Sequence, residues 1–321
     1  MDSNVLIIFD TNRIRKTSKG EADYSDFSLG GDYPELLKFV KLNNLEKFID
    51  LAIPEIVIDE LEMQSKKSYF NDLEALENMK TRLAPIMGIF TKGRMAFDPD
   101  NHIRKNIEKY LADKGNVKIL KMKKVDDILD HLKKKAFLVK KPFKNNGNGG
   151  FKDAILWENI LHSDIFSKYE TIYFFTENAN DFEGCGTEFF KKHGKDFKIV
   201  VNYPQLETLL EEKYIDLIEN ISIFKFIKDD YFKDYVEKST KDQRLNEINS
   251  GNFEDYKITD VEIKDICHDF EKIDKLREEE MDLYKIISLV KITIDNGQKK
   301  EILATTTIDE DRQFIDFEIE Q

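Results

Sequence analysis

Residues Val5 to Phe9 form an unbroken apolar run that ends on Asp10, Thr11 and Asn12. Five such residues without alternation make a strand buried on both faces, the kind found inside parallel sheets. Parallel neighbours cannot be joined by a tight hairpin and need long, usually helical crossovers. The chain that follows should therefore alternate strand and helix, and it reads that way. Pro34 to Leu42 predicts a helix with proline in its first turn. Leu51 to Ile53 is a second short strand, and Pro54 opens a helix through Ile58 and Leu61. Asn71 to Ile89 and residues 101–113 read as further helices, Val117 to Met122 as a strand, and Val125 to Lys135 as a basic amphipathic helix. Lys141 to Gly150 is a loop by its proline, asparagines and glycines. Phe151 to Phe166 is a helix, Thr171 to Phe175 a second fully buried strand, 185–193 a helix and Phe197 to Val201 a strand. The expected class is α/β, an open parallel sheet with helices on both faces.

Beyond about residue 205 the pattern changes. Leu206 to Leu217 and 221–239 read as helices, and 240–256 is polar enough for a linker. Lys285 to Ile294 and Glu301 to Glu318 alternate about Asn296 and Gly297, a strong hairpin signal. Two domains are expected: 1–205, and an acidic α+β domain over 206–321, accessory or regulatory and able to serve as a dimerisation element. It carries no chemical motif; Cys267 and His268 adjoin without a third partner.

Charge divides the chain in the same place. The net charge is −13, yet residues 101–152 hold 15 basic residues against 5 acids, while 206–321 hold 17 against 31. A polyanion-binding surface therefore belongs to the first part. The longest apolar runs fall far short of the roughly 18 residues of a membrane span. The first residues lack the basic start of a signal peptide, and the two cysteines, Cys185 and Cys267, make no disulfide framework. A cytoplasmic protein without a membrane partner is the expectation.

In an open α/β sheet, ligands bind beyond the carboxyl ends of the strands. The first strand delivers Asp10, Thr11 and Asn12 there. The helix after the second delivers Asp59 and Glu60, the helix after the glycine-rich loop delivers Asp153, and the strand 171–175 delivers Thr176, Glu177, Asn178 and Asp181. Singly, each acid reads equally well as a helix cap or a solvated charge. Together they crowd one edge with carboxylates, which repel and raise each other's pKa unless a cation intervenes. Oxygen ligands without His or Cys suit Mg²⁺ or Mn²⁺, and the chemistry such an ion favours is phosphodiester hydrolysis.

The order of these segments resembles the PIN-domain family. Ile7 to Asn12 is similar to its opening strand and acid, Ile53 to Glu60 to its second motif, Phe151 to Trp157 to its third, and Thr176 to Phe182 to its fourth. The resemblance spans about residues 4–205, in the larger type with a basic insertion (about 98–150) before the third motif. It implies a Rossmann-like nuclease domain dependent on Mg²⁺ or Mn²⁺ and acting on RNA. Asp10, Glu60, Asp153 and Asp181 would hold metal and carry catalysis, with Asn12, Thr176 and Asn178 supporting. Asn178 departs from the family pattern, which often carries an aspartate there, and this leaves a second metal position open.

Lysines 121, 123, 124, 133, 134, 135, 140, 141, 144 and 152 lie in or beside the basic insertion. Lys140, Lys141, Lys144 and Lys152 are the candidates to neutralise phosphates, with Phe143 and Tyr24 as aromatic platforms for unpaired bases. A structure-specific DNA nuclease is the main alternative, because metal chemistry on a phosphodiester does not read the 2′-OH. A degenerate domain that only binds nucleic acid is the other. A dehalogenase-type phosphatase is disfavoured by Asn12, where a second acid is needed.

Overall fold

A computed structural model describes residues 4–16, 24–87, 98–113, 117–122, 128–143, 150–249, 252–266, 274–278 and 281–320. The chain divides into two compact units, Met1–Lys213 and Tyr214–Gln321.

The first unit is an α/β layer structure. Its strands are β1 (Val5–Phe9), β2 (Ile49–Pro54), β3 (Val117–Leu120), β4 (Thr171–Phe175) and β5 (Asp196–Val200). They form one all-parallel sheet in the order β3-β2-β1-β4-β5. Every residue of β1 and β4 is buried, as their uninterrupted apolar runs require. The helices between them are α1 (Thr11–Ile14), α2 (Tyr33–Leu42), α3 (Glu55–Met87), α4 (Pro99–Asp113), α5 (Ile128–Phe137), α6 (Phe151–Leu161) and α7 (Cys185–His193). Strand order reverses between β1 and β4, so the crevice at their carboxyl ends is the natural ligand site of this topology. Helix α6 buries nearly all of its last six residues. Its Trp157 packs edge-on to Phe197 at 5.4 Å between ring centroids, and Phe189 of α7 lies 4.7 Å from the same ring. Each large side chain so buried contributes roughly 1.5–3 kcal/mol against the chain entropy lost.

Several boundaries differ from the sequence reading. The two helices expected on either side of residue 70 are one, since α3 runs unbroken from Glu55 to Met87. The helix from Phe151 stops at Leu161 and a 3₁₀ turn, Ile165–Lys168, follows. The segment expected as a linker, 240–256, holds the end of a helix, up to Asp242, and two paired strands: β6 (Arg244–Asn249) pairs antiparallel with β7 (Asn252–Ile266).

The second unit is built on that pairing. Strands β8 (Asp274–Glu278), β9 (Met281–Ile294), β10 (Lys299–Ile308) and β11 (Phe314–Glu320) complete an antiparallel sheet of order β11-β10-β9-β7-β6, with β8 pairing β9. The turn at Asn296 and Gly297 joins β9 to β10, and Gly297 adopts φ +83°, a conformation glycine takes at little cost. Helix α9 (Asp230–Asp242) packs on β7. Between α7 and α9 the chain is helical again as α8 (Tyr203–Ile227), whose Tyr214 departs from helical geometry at φ −115° and ψ 17°. The core of this unit includes Ile227, Phe232, Val236, Ile286, Val290 and Ile292.

Two hydroxyls sit inside this sheet without a hydrogen-bond partner among the described residues, Ser288 Oγ on β9 and Thr306 Oγ1 on β10. Both residues are fully buried. An unmade bond at a buried hydroxyl costs about 1–3 kcal/mol, whereas an apolar group of the same shape avoids that cost. Thr306→Val should therefore raise the urea midpoint of the second unit by the equivalent of about 1 kcal/mol. A lowered midpoint would mean that the hydroxyl is bonded after all.

Candidate active site at the carboxyl edge of the parallel sheet

Asp10 follows β1 directly, and its backbone N–H continues the ladder to Phe175 O at 3.0 Å. Its side chain is buried, and both of its oxygens accept hydrogen bonds. Oδ1 accepts from Thr11 N at 2.7 Å, which also caps α1. Oδ2 accepts from Thr176 Oγ1 at 2.6 Å and from Asn12 Nδ2 at 2.9 Å. Burial raises the Asp10 pKa above its ordinary 3.8; the hydrogen bonds from Thr176, Thr11 and Asn12 oppose the rise, and the Glu60 charge adds to it.

The supporting residues tie the two central strand ends together. Asn12 Oδ1 accepts from Glu177 N at 3.2 Å, and Asn178 N donates to Thr176 Oγ1 at 3.0 Å. Below them Arg13 pairs with Asp32 at 3.0 Å and Glu177 at 3.3 Å, donates to Val201 O, and stacks over Phe175 at 4.8 Å. The loops after β1, β4 and β5 are thus fastened by one guanidinium, a fork of donors suited to such bridging.

Glu60 arrives on the second turn of α3. Thr11 Oγ1 donates to its Oε2 at 2.8 Å, and Lys152 Nζ lies 3.4 Å from Oε1. Asp153 arrives in the first turn of α6. That helix starts at Gly150, which has φ +85°; a side chain there would place Cβ 2.2 Å from Pro142 O. Only glycine lets the preceding chain pass so close.

A cleft of about 170 Å³ brings these groups together, lined by Asp10, Ile56, Val57, Asp59, Glu60, Met63, Lys152, Asp153 and Leu156. Three of the four acids expected from sequence share it. Asp181 lies on the 3₁₀ turn Ala179–Phe182 and is not among the lining residues. Asp59 lines the cleft as a fourth carboxylate, and its pKa is raised by desolvation and by the charges of Glu55 and Glu62. Sequence reasoning brought Asp59 to this edge beside Glu60 but did not count it among the metal-holding acids. It brought Thr11 to this edge without a role, and the structure gives it one, as the hydroxyl that joins the turn of Asp10 to Glu60.

A family model described as PIN domain matches residues 7–182. The chain belongs to the PIN-domain family. No curated protein and no solved structure matches it. PIN domains are in general metal-dependent nuclease folds that act on nucleic acid, and the parallel sheet with acids at its carboxyl edge is of that kind. No helix among the described residues is long and apolar enough to cross a membrane.

The structure redistributes the lysines of the PIN domain. Lys152 lines the acidic cleft. Lys140 and Lys141 line a separate cleft of about 550 Å³ with Lys134, Lys191, Gly184 and others. Lys135 also borders that second cleft, yet its ammonium is committed to Glu158 at 2.6 Å and Glu188 at 3.0 Å. Lys123, Lys124, Lys144 and the glycine-rich stretch 145–149 lie outside the described residues, as do Cys267 and His268. Phe143 is no stacking platform: it is buried against Leu132 and Ala154. Tyr24 packs edge-on to Tyr69 at 5.3 Å and donates to Asp72.

The raised Asp10 pKa has a consequence for stability. An acid whose folded pKa exceeds its unfolded value stabilises the fold fully below the unfolded pKa, and loses that contribution as pH rises through the folded one. Asp10→Asn removes this dependence. In chelator, the melting temperature of Asp10→Asn relative to wild type should therefore improve from pH 4 to pH 7. An equal difference at both pH values would show that Asp10 is not desolvated as described.

Proposed function

We propose that this PIN domain is an endoribonuclease that uses Mg²⁺ or Mn²⁺, held by Asp10, Glu60 and Asp153. The observation that carries this is the single cleft at the strand-order reversal, in which carboxylates from β1, α3 and α6 converge beside Lys152. The donor set fits the ion, because it offers hard oxygens and no soft ligand. When bound, a divalent cation supplies Lewis-acid stabilisation of charge on phosphoryl oxygens.

The chain's own residues do the rest. Thr176, Thr11 and Asn12 hold the Asp10 carboxylate in one orientation, and the Thr11 hydroxyl does the same for Glu60. Asn178 fixes the Thr176 hydroxyl through its backbone N–H. Lys152 stands where a phosphate would enter and offers it a positive partner. The outlet of the cleft supports a strand of nucleic acid. Glu60, Met63 and Lys152 also border a wider groove of about 740 Å³ with Lys66, Lys67 and Phe70. Met63 and Phe70 are strongly exposed there, and an exposed ring beside lysines suits unpaired bases on a phosphate backbone. Single-stranded RNA is the substrate that such a groove favours over a stacked duplex. Lys140, Lys141 and Lys144 serve as further phosphate contacts, the first two lining the separate cleft. Asp181 takes a supporting role, since it does not line the cleft. Catalysis is assigned to 1–205, and the acidic remainder is an accessory element that regulates or pairs the chain.

End-labelled single-stranded RNA and matched DNA, incubated with Mg²⁺, Mn²⁺ or chelator, test the reading. RNA should be cut only with metal, and Asp10→Asn or Asp153→Asn should slow cutting by at least about 100-fold, equivalent to about 2.7 kcal/mol of transition-state stabilisation. Preferential cutting of DNA would replace the ribonuclease with a DNA nuclease. Absence of both cleavage and metal binding would reduce the domain to a binding module.

A further inference from the structure

Helices α5 and α6 bring together His131, Glu158 and His162, with one donor atom of each within 4.8 Å of the others. No residue of this group lines the acidic cleft. Glu158 and His162 are four residues apart along α6 and its cap, a spacing that puts side chains on one helix face. His131 comes from α5, its ring 6.2 Å from that of His162.

The carboxylate of Glu158 is 0% exposed, and its two oxygens are unlike. Oε1 accepts from Lys135 Nζ at 2.6 Å. Oε2 faces His162 Nε2 at 3.1 Å in an ion-pair contact, and neither atom meets a second partner among the described residues. Two buried atoms that face each other and nothing else leave bonding capacity unused. A cation between these two would satisfy both. Their separation is close to the roughly 3.3 Å edge of a tetrahedron with bonds of about 2.0 Å. Charge agrees: Lys135 serves Glu158 and Glu188 together, leaving one negative charge in excess among the three.

We propose that His131, Glu158 and His162 form a binding site for one transition-metal cation of the zinc type. Two imidazoles and one carboxylate select Zn²⁺ or Co²⁺ over Mg²⁺, which prefers an all-oxygen shell. Three protein ligands leave a fourth position for water. The ion joins α5, in the basic segment, to α6, the helix whose first turn carries Asp153. One contact competes with it. Lys192 Nζ lies 2.8 Å from His162 Nδ1, and an ammonium can only donate there. Coordination through Nε2 places the proton on Nδ1, so the exposed Lys192 side chain turns away when the ion binds.

This site is independent of the nuclease reading and can be tested with the acidic cleft disabled. The full chain carrying Asp10→Asn and Asp153→Asn is stripped with chelator and titrated with Co²⁺ by visible absorption, followed by Zn²⁺ or Mg²⁺ in competition. One Co²⁺ per chain with the bands of low coordination is expected, displaced by Zn²⁺ and not by Mg²⁺. Adding His131→Ala, at an exposed position, should weaken Co²⁺ binding at least about 10-fold while the metal-free melting temperature stays put. Lys192→Met should tighten it several-fold. Absence of Co²⁺ binding at this stoichiometry overturns the proposal. So does a Co²⁺ spectrum and affinity unchanged in both His131→Ala and His162→Gln.

Discussion

A carboxylate buried at the end of the most enclosed strand is the constraint on which the first unit turns. Burying an acid is unfavourable unless donors answer it, and Asp10 is answered by three, from Thr11, Asn12 and Thr176. Those donors come from its own turn and from the neighbouring strand end. Their geometry requires β1 and β4 to be adjacent, parallel and in the observed register, with Phe9 opposite Phe175. The fold and the site are therefore one arrangement seen at two scales. A slip of one residue between β1 and β4 would bury the apolar runs in altered pairing and also strip Asp10 of Thr176.

The segments legible in the sequence are those where one physical signal dominated. Val5–Phe9 and Thr171–Phe175 are uniformly apolar and correspond to β1 and β4 as observed. Helix α7 ends where Gly194 takes φ +64°, a conformation that stops helices. The polar hairpin of β6 and β7 was illegible for an equally physical reason. In β6, Leu245 and Ile248 stand three residues apart with polar Asn246 and Glu247 between them. Such spacing lacks the two-residue alternation by which a half-buried strand is recognised. Phe143 misled in another way. It stands between lysines in a loop-like stretch, and nothing local shows that the chain folds back to seat it against Leu132 and Ala154.

The acidic positions were readable because topology, not propensity, dictates where a parallel sheet gathers polar residues. Which acids share a cavity was less readable. Asp59 and Glu60 are adjacent on α3, and both line the cleft. Asp181, confined to the 3₁₀ turn Ala179–Phe182, does not. Lysines were the least legible, because a basic run says nothing of the partner each ammonium finds. Lys135 reads as one more surface charge, and the fold commits it to the buried Glu158 and the partly exposed Glu188.

The two clusters of ligating groups in this unit also differ in how their charge is answered. Around Glu158, one ammonium and two imidazoles approach a single buried carboxylate, and donor atoms close to within 4.8 Å. In the acidic cleft no three of the described carboxylates come so close. Like charges in a shared pocket repel. The chain offsets this with the Thr11 hydroxyl and the Lys152 ammonium on Glu60, both at the flanks. A phosphodiester entering the cavity that these acids line would add further negative charge. A divalent cation relieves the repulsion among the acids and between the acids and the phosphate with the same charge. The electrostatics that make this pocket costly to fold are thus those that make it suited to metal-assisted cleavage of a polyanion.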